Sequence, residues 1–356
     1  MKSISNSELF DFFLKKISDS ANSKQINYGI FNGKAGFVIL LYISSLQVYP
    51  NKELKDCALD ILNEISENIN NIDSLNFSDG LAGIGWLIEW VAQNHFLEID
   101  TDDILSDIDD VLYRSIVYSP DETMSLSHGS LGKLLYFISR RKSRNIKENR
   151  LRSIIHEECI VLLTDDLHDK VCGEKGIIHG IKELGYDNLI DIGHLIFFLS
   201  SFLNIRVYEP TIIEVTLYEL IKFTDAYLDK QEPTKNDTEQ EDLALLFLSY
   251  SYYLSGLNHQ QDYWKERALK FIKTMENKIS LNNYTNEAAS VINLLRTALF
   301  IEEKAFISPE VKESEPIELI NFNGKNILLY NLLRQPDVVN IILPLAVILY
   351  QLPVIV

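Results

Sequence analysis

The sequence has few cysteines and few positive charges, and both shortages narrow the functions it can have. Its 356 residues include three cysteines, Cys57, Cys159 and Cys172, an odd number at wide spacing. Such a set is typical of a chain kept reduced in the cytoplasm, and it excludes the disulfide framework of a small secreted domain. Lysine and arginine number 33 against 51 aspartate and glutamate residues, which gives a net charge of −18. That balance argues against nucleic acid or anionic membranes as partners, and it suits a basic peptide.

Long hydrophobic runs are also scarce. Residues 1–6 contain no apolar core of the kind found in a signal peptide. The longest apolar stretch, residues 338–356, is interrupted by Pro344 and Pro353 and has no basic residues at its start. It is close to the minimum length for a membrane-spanning helix. We expect it to form a buried last helix and the protein to be cytoplasmic.

What the sequence does contain is a recurring glycine phrase. A small polar residue, a glycine and a second small residue open an apolar stretch at residues 32–36, 79–83 and 128–132. The leading glycines, Gly33, Gly80 and Gly129, lie 47 and 49 residues apart, and a further copy begins at Gly324. A fixed period near fifty residues is typical of a repeat architecture. The repeat predicts a single domain over residues 1–356.

The segments between the glycine phrases have helical periodicity of two kinds. Residues 52–69 alternate charges with apolar residues at helical spacing, whereas residues 84–91, directly after the second phrase, are apolar on nearly every side. A helix that is apolar all round must be buried, while its amphipathic partner can face solvent. Repeated pairs of this kind predict an all-α fold with an inner and an outer layer. Asn32 and Asp79 are expected to cap the inner helices.

Two of these phrases point to a family. Residues 77–87 (FSDGLAGIGWL) and 127–132 (SHGSLG) resemble the glycine-rich turns of lanthionine synthetase C-like proteins, the cyclases of lanthipeptide biosynthesis. The resemblance is good over residues 25–140 and thin afterwards. It implies an α/α toroid, a double-layered ring of about seven helix pairs in which the glycine-rich turns open the inner helices.

The resemblance also implies a chemistry. In that family a zinc ion holds the cysteine of a substrate peptide as a thiolate, which adds to a dehydroalanine or dehydrobutyrine. Zinc is useful because a free thiol is mostly protonated at neutral pH, and an acid must afterwards protonate the enolate that forms. Two cysteines and a histidine, from a Trp-Cys-Tyr-Gly phrase and a Cys-His-Gly phrase, hold the metal.

Neither metal-binding phrase occurs in this chain. By position, Glu239 stands where the first cysteine belongs, and Thr285 and Asn286 stand in place of the second cysteine and the histidine. Glutamate, threonine and asparagine do not make a stable zinc site. The resemblance therefore implies a degenerate member of the family that binds no zinc.

Other functional positions of the family also differ. Its aspartate before the third glycine phrase corresponds to Ser125, and its arginine before the first metal cysteine corresponds to Lys235. Its catalytic histidine, in an Ala-His-Gly phrase, has a loose counterpart in His194 of Ile192-Gly193-His194. These changes add to the evidence that ordinary cyclase chemistry has been lost.

Metal binding elsewhere in the chain is one alternative. His156 and Cys159, and then His168 and Cys172, form two pairs at helical spacing and could make a site with two histidines and two cysteines. Cys159 lies on an apolar face, where a cysteine is usually a small core residue, and residues 164–166 read as the end of its helix. We therefore expect these residues to be structural.

Three functional hypotheses remain open. The first is a zinc-free or non-catalytic relative of the cyclases that binds a peptide substrate or precursor peptide, beside other peptide-modifying enzymes. The second is an active cyclase, or another toroid enzyme, whose chemistry has moved to His128, His194 and Glu239. The third is a purely structural partner. The side chains expected at the mouth of the cavity are those of Asn32, Lys34, Asp79, His128 and His194.

Overall fold

A computed structural model describes residues 27–31, 33–47, 52–143, 149–180, 184–203, 210–230 and 239–281. The regular structure within these residues is helical. This confirms the all-α class, and it is the secondary structure expected of an α/α toroid.

The chain divides into two compact units, the second of which begins at Leu75. The first unit contains α1 (Lys34–Gln47), α2 (Lys52–Asn68) and a 3₁₀ turn (Ile69–Asn71). The second unit contains α3 (Leu81–Gln93), α4 (Thr101–Ile104), α5 (Ser106–Tyr118), α6 (Ser130–Arg141), α7 (Arg150–Cys172), α8 (Ile177–Gly180), α9 (Tyr186–Leu203), α10 (Pro210–Asp229), α11 (Glu239–Asn258) and α12 (Asp262–Leu281).

Buried and amphipathic helices alternate along the chain, as the periodicity predicts. Every residue from Ala82 to Ala92 of α3 and from Ser130 to Arg140 of α6 is buried. By contrast, α5 buries only one face, and its neighbour α7 exposes Leu151 and Ile154. Within the second unit, α3 packs on α6, and α9 packs on α11. The helices α3 and α6, which follow glycine phrases, thus supply the core together with α9 and α11.

The glycine phrases that contain Gly33, Gly80 and Gly129 each close a loop of the same size. A backbone amide at the start of the helix donates to the carbonyl of the residue seven positions earlier, as from Ser130 to Thr123 at 3.2 Å. The same bond runs from Lys34 to Asn27 (2.9 Å), Gly36 to Gly29 (3.4 Å) and Gly83 to Asn76 (3.5 Å). The loop is so tight that a Cβ on Gly129 would lie 2.5 Å from the Thr123 carbonyl oxygen. Glycine is needed here because the chain folds back on its own backbone.

The prediction that Asp79 caps its inner helix is wrong. Gly80 is the N-cap of α3, in an extended conformation, and no side chain caps the helix there. Asp79, which was expected to be the cap, lies one residue earlier, and its carboxylate bonds to a neighbouring side chain instead. Asn32 lies outside the described residues.

No helix in the described part of the chain is long and apolar enough to cross a membrane. The apolar stretch of residues 338–356 lies outside the described residues, so the prediction of a buried last helix stays a prediction.

Candidate functional site

The second and third glycine phrases meet in space. The backbone amides of Phe77 and Ser78 both donate to the carbonyl oxygen of Ser127, at 3.1 and 3.0 Å. The loops before α3 and α6 are therefore joined directly, although about fifty residues separate them in the sequence. The polar residues of the two phrases form one cluster at this junction.

Ser78, Asp79 and His128 make a continuous hydrogen-bonded chain, which we call the relay. The Ser78 hydroxyl donates to Asp79 Oδ1 at 3.1 Å, and Ser78 Oγ lies 3.2 Å from Nε2 of His128. Ser78 is buried, whereas His128 is exposed to solvent. A buried hydroxyl thus connects a carboxylate to an accessible imidazole, an arrangement that can hold or pass a proton.

The sequence predicted Asp79 and His128 as site residues but did not single out Ser78. The signal that could have found it is its position, directly before Asp79 in the second phrase. Ser125, at the position of the family's aspartate, has a backbone role: its hydroxyl accepts from the His128 amide at 3.0 Å. This bond helps to hold the turn that carries the imidazole.

A second polar cluster lies on the other side of the same turn. Ser130, the first residue of α6, donates its hydroxyl to Asp166 and lies 2.7 Å from Lys170 Nζ, both on α7. One turn further along α6, buried Lys133 pairs with Asp121 at 2.7 Å. These lysines are paired with carboxylates and so are not free to hold an anion. The exposed His128 is therefore the most accessible polar group of the junction that we have identified.

Lys34 lies in the other unit. Its ammonium group is buried, pairs with Glu64 of α2 and lies 5.5 Å from the ring centroid of Tyr28. Because both α1 and α2 contribute to this pair, Lys34 has a clear structural role in holding the two helices together. Its role in a cavity stays a prediction.

His194 lies within α9, eight residues after the helix begins and away from the turn that opens it. Its side chain is 2% exposed and packs against the rings of Phe198 and Phe247, with centroids 6.5 and 5.1 Å away. Neither ring nitrogen has a hydrogen-bond partner among the described residues, and burial lowers the pKa of His194 to about 3. A neutral, enclosed imidazole cannot contact a peptide in solution without rearrangement.

The predicted positions of the lost metal site are only partly covered. Glu239 is the first residue of α11. Thr285 and Asn286 lie outside the described residues. The expectation that the three side chains converge near one point therefore stays a prediction.

The alternative site with two histidines and two cysteines is contradicted by the length of α7. This helix runs without a break from Arg150 to Cys172, whereas the sequence suggested an end at residues 164–166. His156 and His168 are consequently about 18 Å apart along the helix axis and cannot share one metal ion. Nor is any cluster of three histidine, cysteine or acidic side chains placed to hold a metal within the described ranges.

All three cysteines of the chain lie on amphipathic helices, Cys57 on α2, and Cys159 and Cys172 on α7. Burial raises the pKa of each thiol, most strongly for Cys159, which has no exposed surface. A thiol in this state resists forming the thiolate that zinc binding requires.

A further glycine phrase, between the third and the last of those found in the sequence, was not predicted. His179-Gly180 repeats the pair His128-Gly129, and Gly180 follows Gly129 by 51 residues, which matches the period of the other copies. It lies in the short helix α8, between amphipathic α7 and buried α9, and the His179 side chain is exposed. The period was the signal that could have found it.

A buried ionic network at the other end of α3 and α6 was also missed. Arg140 of α6, fully enclosed, bonds to Glu89 of α3 at 2.7 Å and to Asp109 of α5 at 3.0 Å. Asp109 also accepts from Tyr136 at 2.5 Å and contacts His156 at 3.0 Å. Burial alone would raise the pKa of Asp109, but hydrogen bonds from His156 and Arg140, and their positive charge, lower it to about 2. The network therefore holds the Asp109 carboxylate ionised inside the protein.

One more hydrogen bond joins α3 to α6 at this end. The Gln93 side chain at the end of α3 donates to the Ser139 carbonyl oxygen of α6 at 2.8 Å. Together with Arg140 and Glu89, this bond fastens α3 to α6 at the end opposite the relay.

Comparison with known proteins gives one family match. The family model described as lanthionine synthetase C-like protein matches residues 3–169. These residues include the relay, the buried network and nearly all of α7. A search of curated proteins found no match to the chain.

Proposed function

We propose that the chain, which belongs through residues 3–169 to the lanthionine synthetase C-like family, is a zinc-free member of that family. In this proposal it binds a peptide at the junction of α3 and α6. In this proposal the whole chain is one toroid domain. It works in the cytoplasm, on a precursor peptide that other peptide-modifying enzymes also handle.

The positions of the cysteines support the proposal that the protein binds no zinc. The zinc site that the resemblance implies takes two cysteines from two glycine-containing phrases, neither of which occurs in this chain. This chain has three cysteines in all, and each is on an amphipathic helix with a thiol pKa raised by burial. Cys159 and Cys172 lie within one continuous helix, about 20 Å apart along its axis, so they cannot both hold one zinc ion.

The exposed side of the junction supports the proposal that a peptide binds there. His128 offers an accessible imidazole, and its buried partner Ser78 connects it to a carboxylate. His179, in the next glycine phrase along the chain, is exposed as well. The net charge of −18 favours a cationic peptide, because an acidic surface attracts positively charged ligands.

The test combines metal analysis with peptide binding. Full-length protein is purified without chelators, its zinc is measured by mass spectrometry, and it is titrated with a fluorescein-labelled, lysine-rich peptide that contains one cysteine and one dehydrobutyrine. We expect substoichiometric zinc, and saturable binding that leaves the peptide thiol free to react with iodoacetamide. Stoichiometric zinc that is lost when Cys159 or Cys172 is changed to serine would contradict the proposal.

An active, zinc-independent cyclase is the second candidate, and the relay favours it. A histidine connected to a carboxylate through a hydroxyl can take the proton of a thiol, which is one of the steps that ring closure requires. The same experiment separates the two functions. Loss of the free thiol at unchanged peptide mass, abolished by His128→Phe, would establish the cyclase.

A further inference from the structure

The direction of the hydrogen bonds in the relay fixes which nitrogen of His128 is available. A serine hydroxyl has one proton, and at Ser78 that proton is donated to the carboxylate of Asp79, which has none to give. Ser78 Oγ can then only accept from His128, so the imidazole must carry a proton on Nε2. In the neutral ring this leaves a lone pair on Nδ1.

We infer that Nδ1 of His128 is the hydrogen-bond acceptor through which the site holds a thiol or hydroxyl group of the bound peptide. The inference rests on the proposed peptide-binding function and specifies the chemistry of that site. Nδ1 is the ring nitrogen that the relay does not use, and it belongs to an exposed side chain.

Ser78 and Asp79 act in this site as positioning residues. Ser78 is 6% exposed, and its backbone amide is tied to Ser127, so its hydroxyl is held at one place. The His128 amide is held in turn by Ser125. The imidazole is thus fixed from both ends, by its backbone and by Nε2, and Nδ1 is presented in one orientation.

If the peptide group gives up its proton, the relay accommodates the charge. The proton moves from the thiol or hydroxyl to Nδ1, which leaves a thiolate or alkoxide on the peptide and an imidazolium on His128. The imidazolium still donates from Nε2 to Ser78, whose hydroxyl points to the Asp79 carboxylate. The positive charge therefore faces a negative one through a single hydroxyl.

A double-mutant cycle tests the acceptor role. The lysine-rich cysteine peptide, a serine version and an alanine version are titrated into the full chain and into its His128→Phe variant, which keeps a ring but has no nitrogen. We expect the cysteine and serine peptides to bind about fivefold to tenfold more tightly than the alanine peptide, because one hydrogen bond is gained. That preference should vanish in His128→Phe and fall by about half in Ser78→Ala. His95→Phe, which changes an exposed histidine elsewhere, should leave it unchanged.

Nuclear magnetic resonance of the free protein tests the tautomer without any peptide. In histidine-labelled protein at alkaline pH, we expect the His128 ring proton on Nε2, and an Nε2 shift that changes in Ser78→Ala but not in Ser106→Ala. A proton on Nδ1 would overturn the inference. Equal binding of all three peptides would also overturn it while leaving the proposed function in place. If none of the three binds, the proposed function itself fails.

Discussion

At the scale of single residues, the buried His194 is expected to make stability depend on pH. Its pKa is about 3 in the folded protein and 6.5 in an unfolded chain. As pH falls below 6.5 the unfolded chain takes up the proton first, so the stability is fully present above pH 6.5 and is lost as pH falls toward the folded pKa.

The change His194→Leu should remove this dependence. Between about pH 7.5 and about pH 5 the wild-type protein should lose about 2 kcal/mol of unfolding free energy that the variant keeps. At neutral pH the variant should be as stable as the wild type or slightly more so, because two unsatisfied nitrogens disappear. Urea denaturation at both pH values measures this, with His95→Leu as the exposed control. A parallel loss of stability in wild type and variant would show that His194 does not titrate as described.

Asp191, three residues before His194 on the same helix, should make stability depend on pH in the opposite direction. Burial, helped by the negative charge of Asp187, raises its pKa from 3.8 to about 7. As pH rises, the unfolded chain releases the proton first, so the favourable contribution is present below pH 3.8 and is lost as pH rises through 7. Asp191→Asn should therefore raise the unfolding free energy by about 4 kcal/mol at about pH 8 and change little at about pH 4. Asp187→Asn should give part of the gain, and no gain in Asp191→Asn at alkaline pH would refute the effect.

At the scale of helices, the buried network is predicted to depend on Arg140. The change Arg140→Leu leaves Glu89 and Asp109 buried and without the guanidinium that both of them contact. Removing one side of a buried ion pair costs about 3–5 kcal/mol. The next residue provides the matched control: Arg141 is 42% exposed and pairs with Glu157 at the surface, where an ion pair contributes about 0–1 kcal/mol. Similar urea midpoints for Arg140→Leu and Arg141→Leu would contradict the prediction.

The close approach of α3 and α6 depends on Gly85. A Cβ there would lie 2.6 Å from Cε2 of Tyr136, a buried ring whose hydroxyl is bonded to Asp109 and which therefore cannot easily move. Gly85→Ala should destabilise the protein by about 1–3 kcal/mol, despite the better helix propensity of alanine. Gly185→Ala is the control, since a Cβ at that position would meet nothing within 4 Å. The prediction fails if thermal melting ranks the two variants equally.

The sequence predicts the helices better than their lengths and contacts. The end of α7 was misplaced because Thr164-Asp165-Asp166 is polar, yet Thr164 bonds its hydroxyl to the Ile160 carbonyl oxygen inside the helix. The apolar face then continues through Leu167 and Val171. A side chain that satisfies itself locally does not end a helix, and composition alone does not show this.

The candidate functional site likewise depends on contacts that the sequence alone does not show. Asp79 and His128 could be selected because each stands beside a phrase glycine, but their connection through Ser78 joins positions about fifty residues apart. Arg140 and Arg141 look alike in the sequence, and only the packing of α6 decides which one is enclosed. Periodicity reports which face of a helix is buried; it does not report which polar groups meet across that face.

At the scale of the whole molecule, the charge of −18 should control how fast a peptide arrives. The association rate of the lysine-rich peptide should fall several-fold as salt rises from low to physiological concentration, because the Debye length shrinks to about 8 Å. A version with citrulline in place of lysine should associate more slowly and show little salt dependence. Stopped-flow fluorescence gives both rates, and equal salt dependence of the two peptides would rule out steering by charge.

The attachment of α3 to α6 at both ends has a consequence for how the protein opens. Two helices that are held together at one end only can separate progressively from the other end, as their contacts break one after another. Here the Ser127 bonds close one end, and Arg140, Glu89 and Gln93 close the other. Separation of the two helices from either end therefore has to break these hydrogen bonds and ion pairs first. The amide protons of α3 and α6 should consequently exchange with solvent together, in a single cooperative event.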